Sequence, residues 1–468
     1  MGVAAIVDLI SRKMKKENAA LAAVIGLLTL GIPVQMASQT WDDHDRSGRY
    51  TCRDFGQNYL MSMQDEGNPI IFTNGDNDTF PLWYNQDVEQ VRTDARVCNL
   101  SYLQTDWYID QMVRPAWKSP SLPITWPRID YCSGTNEYVE IKPEYKKQVM
   151  EFFASNPEEA RKQFGDDPFE IHNVLKYWVR ANKNNDEMHI IPTDTLYLNI
   201  DKKKVMESGM MLPKDSTGAV NIPDRMAISL SGKRALYKGD LMLLEMLANS
   251  NWTRPLYVAL TVGSENYMNL GDNFIQEGLV NRITPFHTDE TNNFDTEKVY
   301  KNLMTRFKYG GLEKPGLYLD ETVTRMCQTH RRLFAMLVRH LIDEGDKERA
   351  AKALAYAEKV LPEYNLPYNY MGGGIDFIEA YYELGQTKNA RKVADAMFKT
   401  SSQYMTYFLG LKQSSFNSSL RDCMYNLYVM QTITDIASQY DKDYADKLSE
   451  RFARFANKYQ QRGGTFGE

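Results

Sequence analysis

Hydrophobic and polar positions alternate in three different ways along this chain. The first regime has no alternation at all: from Asn18 to Thr40 no residue is charged, and the run ALAAVIGLLTLGIPV leads into uncharged Gln35 to Thr40. At 1.5 Å per residue such a run crosses roughly 30 Å of hydrocarbon, so it predicts a membrane helix near Ala19 to Met36. Pro33 predicts a kink in that helix or its end. The opening MGVAAIVDLIS is apolar as well and reads as the tail of a preceding membrane element in a longer polytopic protein. Arg12, Lys13, Lys15 and Lys16 stand just before the apolar run. The excess of cytoplasmic Lys and Arg seen in membrane proteins then places the N-terminus in the cytoplasm, Trp41 at the interface and the rest outside the inner membrane. A cleaved signal peptide is the rival reading, but the run is long and Gln35 to Ser38 make a poor cleavage site.

The second regime is α/β. Pro69 to Phe72 is a short buried-strand run, followed by polar Thr73 to Asp78 and a helical pattern from Phe80 to Val91. Arg96 to Leu100 reads as the next strand and Asp106 to Met112 as the next helix. A helix from Asp240 to Ala248 precedes a third strand, Pro255 to Leu260. Strand, polar loop, helix, strand is the pattern of a parallel sheet whose ligands sit at the strand C-termini. Between Ser119 and Gly239 the chain is proline-studded and irregular, an insertion with helices at Pro143 to Phe153 and Phe169 to Asn182. Short strands are expected there between Asp186 and Arg234, at His189 to Ile191, Thr195 to Asn199 and Ala227 to Leu230.

The third regime begins at Asp320 and is helical. Leu341 to Ala350 leads into a helix ending at Pro362, and Tyr381 to Ala390 repeats the layout about forty residues later. Helix, glycine turn, then helix with small residues such as Ala350, Ala353 and Ala357 is a tetratricopeptide-like hairpin. One amphipathic helix is expected from Ser438 to Tyr459, and the tail QQRGGTFGE is expected to be disordered. The fold class is therefore α/β plus all-α: an N-terminal membrane helix, a small parallel-sheet domain with an irregular insertion, and C-terminal hairpins. The domains are expected at 1–40, 41–318 (insertion about 119–239) and 319–468.

Composition narrows the function. A net charge of −6 on 468 residues offers no basic face, which excludes nucleic acid as a partner. Five scattered cysteines without a C-x-x-C signal neither zinc nor a disulfide framework. Aromatic residues at 12%, 29 of them tyrosine, suit carbohydrate or peptide surfaces and ordinary packing alike.

Candidate chemistry concentrates in WDDHDRSGRYTCRD, Trp41 to Asp54. Asp43, Asp45, Ser47, Gly48 and Asp54 fit D-x-D-x-S-G-x5-D, close to a calcium loop of alternating oxygen ligands. The interleaved Arg46, Arg49 and Arg53 support two other readings. Either an Asp/Arg network ties the membrane helix to the soluble body, or the arginines with His44 hold a lipid-linked phosphate at headgroup height. A second candidate is Asp76, Asn77 and Asp78, after the first strand; there Asp78 or Thr79 also makes a good helix N-cap. A hydrolase using Asp76, Asp78 and a metal is a weaker possibility, because His172, His189, His287, His330 and His340 show no ligand pairing. Lone histidines of this kind read as satisfied structural residues.

The runs WDDHDRSGRYT and FTNGDNDTFPLWYNQDVEQVRTDARVCNLSYLQTDWYIDQM resemble the C-terminal extracytoplasmic part of a family of large bacterial multi-spanning membrane proteins. That family carries a domain-of-unknown-function label and is similar to animal protein O-mannosyltransferases with a GT-C-type membrane fold. The resemblance implies glycosyl transfer from a lipid-phosphate sugar to a protein acceptor outside the membrane. The early loop that carries the catalytic acid in GT-C enzymes has no counterpart here, so no catalytic residue carries over, and an accessory, acceptor-binding role working with a membrane partner subunit is expected. The alternative is a non-enzymatic, membrane-anchored helical-repeat module of a cell-envelope complex.

Overall fold

The computed structural model describes residues 2–14, 19–185, 187–215 and 217–465. Lys15 and Lys16 of the basic flank, Asp186 and the last three residues of the tail lie outside the described residues. The apolar N-terminal segment forms α1 (Gly2–Met14) and α2 (Ala19–His44). Within α2, Ala22–Trp41 is long and apolar enough to cross a membrane, and none of it is buried against protein. The helix runs through Pro33 and on to His44, eight residues past the expected end at Met36. After a short turn comes α3 (Thr51–Ser62), a helix for which the sequence reading names no element.

The body follows in chain order: β1 (Ile70–Thr73), α4 (Asp76–Asp87), β2 (Arg96–Asn99) and α5 (Asp106–Met112). The insertion contributes β3 (Tyr138–Ile141), α6 (Lys146–Ser155), α7 (Pro157–Phe164) and α8 (Ile171–Asn173), which a wide helical turn prolongs to Arg180. It continues through β4 (Ile190–Ile191), β5 (Thr195–Asn199), α9 (Lys202–Glu207), β6 (Arg225–Ser229) and β7 (Ala235–Tyr237). Then come α10 (Lys238–Ser250), β8 (Leu256–Ala259), β9 (Phe274–Gln276), β10 (Val280–Ile283) and α11 (Thr296–Lys301).

The main sheet has the order β2-β1-β8-β10-β9. Its first three strands are parallel, in register Ile70 with Arg96 and with Leu256. Every residue of these three strands is buried, as expected for a sheet covered on both faces. The expected parallel sheet is formed by these three strands and is extended at its other edge by antiparallel pairing, β10 with both β8 and β9. The insertion builds two further sheets, β4-β3-β7 and β5-β6. The chain leaves β1 toward β2 on one side and returns to β8 on the other. The switch point of the parallel sheet is therefore the crevice between the C-terminal ends of β1 and β8.

The C-terminal part is a stack of helical hairpins. The first is α12 (Glu321–Asp343) with α13 (Lys347–Val360), and the second is α14 (Gly374–Glu383) with α15 (Thr387–Gly410). Their turns close identically: Gly345 N donates to Ile342 O and Asp346 N to Leu341 O, as Gly385 N does to Tyr382 O and Gln386 N to Tyr381 O. A third hairpin follows α16 (Gln413–Ser418), formed by α17 (Leu420–Tyr440) and α18 (Lys442–Gln461). The single helix expected over Ser438 to Tyr459 is thus two, broken at Asp441. The described part of the tail is tied down, with Arg462 donating to Leu409 O at 2.6 Å.

Candidate functional site

The Trp41 to Asp54 stretch divides between two tasks. Its C-terminal part belongs to α3 and faces inward: the Asp54 carboxylate accepts from Arg53 through Oδ1 at 2.7 and 2.8 Å and from the Gly310 amide through Oδ2 at 2.7 Å. The Arg53 guanidinium also lies 4.6 Å from the Tyr50 ring. Its N-terminal part stays at the surface: Asp45 Oδ1 accepts from the Ser47 amide at 3.0 Å and hydroxyl at 2.6 Å. Those two bonds hold the Asp45 carboxyl below its usual range. The calcium geometry needs Asp43, Asp45, Ser47 and Asp54 to converge on one ion, and the structure separates them. Asp54 is turned into the body, Asp45 is spent on Ser47, and Asp43 accepts from the Tyr318 hydroxyl. Among the described residues no group of three or more His, Cys, Asp or Glu is placed to hold a metal.

The surface part instead forms one wall of a groove of about 700 Å³. Asp45, Ser47, Gly48 and Arg49 face the segment Pro315 to Tyr318, with Tyr364 and Asn365 closing the end. Arg49 lies 4.8 Å from the Tyr318 ring. Asn365 fixes the opposite wall by donating to Leu312 O at 2.7 Å and Lys314 O at 2.6 Å. His44 and Arg46 stand exposed at the end of α2. The sequence reading marks only the first wall; nothing in the Pro315–Gly316 turn distinguishes it from an ordinary loop.

The second candidate, Asp76 to Asp78, lies where expected, at the N-terminus of α4 just past β1. Gly75, at φ 84°, is the cap residue and makes no side-chain cap bond, so neither Asp78 nor Thr79 plays that part. Thr79 instead ties strand ends together: its hydroxyl donates to Gly75 O at 2.7 Å, pairs with Thr73 Oγ1 at 2.8 Å and accepts from Asn99 at 2.9 Å. Asp76 and Asn77 are exposed. Asp78 is buried at the switch crevice, bonded by Thr261 and the Asn74 amide, and burial pushes its carboxyl up from its usual range. Thr261 in turn bonds Tyr59 at 3.0 Å.

A cleft of about 390 Å³ opens beside this point, and Asn74 rather than Asp76, Asn77 or Asp78 lines it. Leu100 and Ser101 enter from the end of β2, Glu265 and Asn266 from beyond β8, and Tyr237, Gly239 and Asp240 from the start of α10. The rule that ligands sit at strand C-termini finds its location; the lining residues past β2 and β8 are the ones the sequence reading left unmarked.

Comparison with curated proteins and with solved structures yields no match. A family model does match, described as TMEM260-associated domain 2, and it covers residues 52–302, from α3 through all three sheets to the residue after α11. Over more than half its length, then, this chain belongs to the TMEM260-associated domain 2 family.

Proposed function

We propose that this chain is the membrane-anchored, extracytoplasmic region of a GT-C-like glycosyl-transfer machinery of the protein O-mannosyltransferase kind. It presents an acceptor-facing surface and meets a lipid-linked phosphosugar at the groove beside α2. The family membership supports the glycosyl-transfer context. The observation that carries the reading is geometric: an apolar helix with no protein cover ends at His44, and the next residues line a groove of about 700 Å³. A lipid carrier in the same leaflet would bring its phosphate to that height. Arg46, between the lining residues Asp45 and Ser47 but not itself part of the groove wall, is exposed and makes no ion pair with the described residues, so its guanidinium fork is available to phosphate oxygens at the groove's edge. Arg53 is spent on Asp54 and contributes nothing to the groove.

The full chain in lipid nanodiscs, titrated with a polyprenyl-phosphate mannose, tests this. Binding by the wild type, weakened at least tenfold in Arg46→Ala with an unchanged melting curve, is the expected result. Equal binding by both proteins, or none by the wild type, contradicts it.

A second reading, an interaction module of an envelope complex, is favoured by one feature of the hairpins. Tyr370, Tyr425 and Tyr428 cluster on the surface, with Tyr370 and Tyr428 hydroxyls 3.1 Å apart, and Met371 stands exposed beside Tyr370 in the chain. Tyrosine and methionine are enriched at protein interfaces.

A further inference from the structure

The cleft at the strand ends combines two features that belong together in one kind of ligand. Four of its polar side chains are each held through one atom and keep another for the cleft. Gln104 Oε1 accepts from the Gly239 amide at 3.0 Å, leaving its NH2 group for the cleft. Asn74 Oδ1 accepts from Ser101 at 2.5 Å, again leaving the NH2 group. Asp240 Oδ2 accepts from the Tyr237 amide at 2.9 Å, and Glu265 Oε1 from Asn266 at 2.8 Å, each keeping its second carboxylate oxygen. Fixed amides and carboxylates with one unused donor or acceptor apiece match a ligand rich in hydroxyls, since each hydroxyl both donates and accepts.

The second feature is a row of rings leading to the cleft's rim. Phe80 and Trp83 lie 5.7 Å apart between centroids, Trp83 and Tyr102 6.3 Å, and Tyr102 and Trp107 5.9 Å. Phe80 is 47% and Trp107 50% exposed, an arrangement that a soluble surface gains nothing from unless something covers it. Tyr102 joins the two features, because Ser101 and Gln104 on either side of it in the chain both line the cleft.

We infer that this row and cleft form one binding site for a carbohydrate chain. A pyranose carries an apolar C–H face and a rim of hydroxyls, so one sugar unit stacks on a ring while its neighbour fills the polar cleft. The volume of about 390 Å³ lies within the range of small-molecule sites. The mixed charge of Lys233, Asp240 and Glu265 disfavours a purely anionic or cationic ligand. The site is separate from the groove beside α2 and stands whether or not a lipid phosphate binds there.

The test uses the full chain in detergent, with mannotriose and cellotriose as probes and intrinsic tryptophan fluorescence as the readout, since Trp83 and Trp107 lie in the row. Saturable binding of either trisaccharide is expected, weakened at least tenfold by Trp107→Ala and by Tyr237→Ala. Both residues are more than half exposed or close to it, so both variants should keep the wild-type melting curve. Arg46→Ala should bind sugar as the wild type does, which separates this site from the lipid-phosphate reading. Absence of saturable binding for both sugars, binding indifferent to both cleft variants, or capture of an unglycosylated aromatic peptide instead would overturn the assignment.

Discussion

At position 330 a histidine of α12 enters a pocket of rings. Phe55, Phe307 and Tyr309 surround it with centroids at 5.6, 6.1 and 5.6 Å, and its Nε2 accepts from Asn58 Nδ2 at 2.8 Å. Asn58 is fixed in that orientation because its Oδ1 accepts from Lys308 N and its Nδ2 also donates to Lys308 O. The proton of the neutral ring therefore sits on Nδ1, which is buried without a partner. The expectation of a satisfied structural histidine holds for one nitrogen and fails for the other; a residue type cannot reveal which atoms the fold will leave over. Burial holds the imidazole down at about 4. Above pH 6.5 both folded and unfolded chains carry it neutral. As pH falls below 6.5 the unfolded chain takes up a proton that the folded one refuses, so stability drains away until about pH 4, by about 3 kcal/mol. Denaturant unfolding at pH 7 and pH 4.5 should show the wild type losing more stability than His330→Phe by roughly 2 kcal/mol or more, a difference in which the other titrating groups cancel. Equal losses would show that His330 is protonated in the fold.

Among elements, α3 was the hardest to read in the sequence, and its buried face explains why. Thr51, Asp54, Asn58 and Ser62 recur at helical spacing and all are buried, so a polar stripe runs beside the buried Phe55, Tyr59 and Leu60. Each has a backbone partner or neighbour in a distant loop: Asp54 holds Gly310 N, Asn58 holds Lys308, and Ser62 Oγ accepts from Leu279 N at 3.0 Å. A helix that docks partly by hydrogen-bonding loops has a hydrophobic period blurred by the polar residues interleaved with it. The third helical hairpin escaped for a related reason, since its turn has Asp441 where the first two have Gly345 and Gly385. The hairpins with glycine turns, and the all-apolar strands β1, β2 and β8, were legible because their signals are local. On its other side α3 packs against α4 so closely that a Cβ on Gly56 would lie 2.4 Å from Pro81 O. That atom is backbone and cannot swing away, so Gly56→Ala should cost about 1–3 kcal/mol as the two helices part. Thermal or denaturant melting checks it, and an unchanged midpoint would mean the helices are not held together there.

For the molecule as a whole, α3 is the joint. It follows the apolar helix α2, hydrogen-bonds the loops at 279 and 308–310, and meets α12 through Asn58 and His330. The apolar run and its length were visible in the sequence; the groove and cleft were not, because their walls come from segments hundreds of residues apart and use ordinary polar residues. Orientation is an expectation drawn from the sequence, from Arg12 and Lys13 before the apolar helix. An anchored chain with its body outside the cytoplasm is the premise on which the groove can meet a lipid carrier. It is tested most directly by fusing, after Glu468 of the full chain, a reporter that works only outside the cytoplasm, and by washing the membranes in alkaline carbonate. Anchoring through α2 with the body outside predicts an active reporter that stays with the washed membrane; an inactive reporter, or a chain released by the wash, would contradict it.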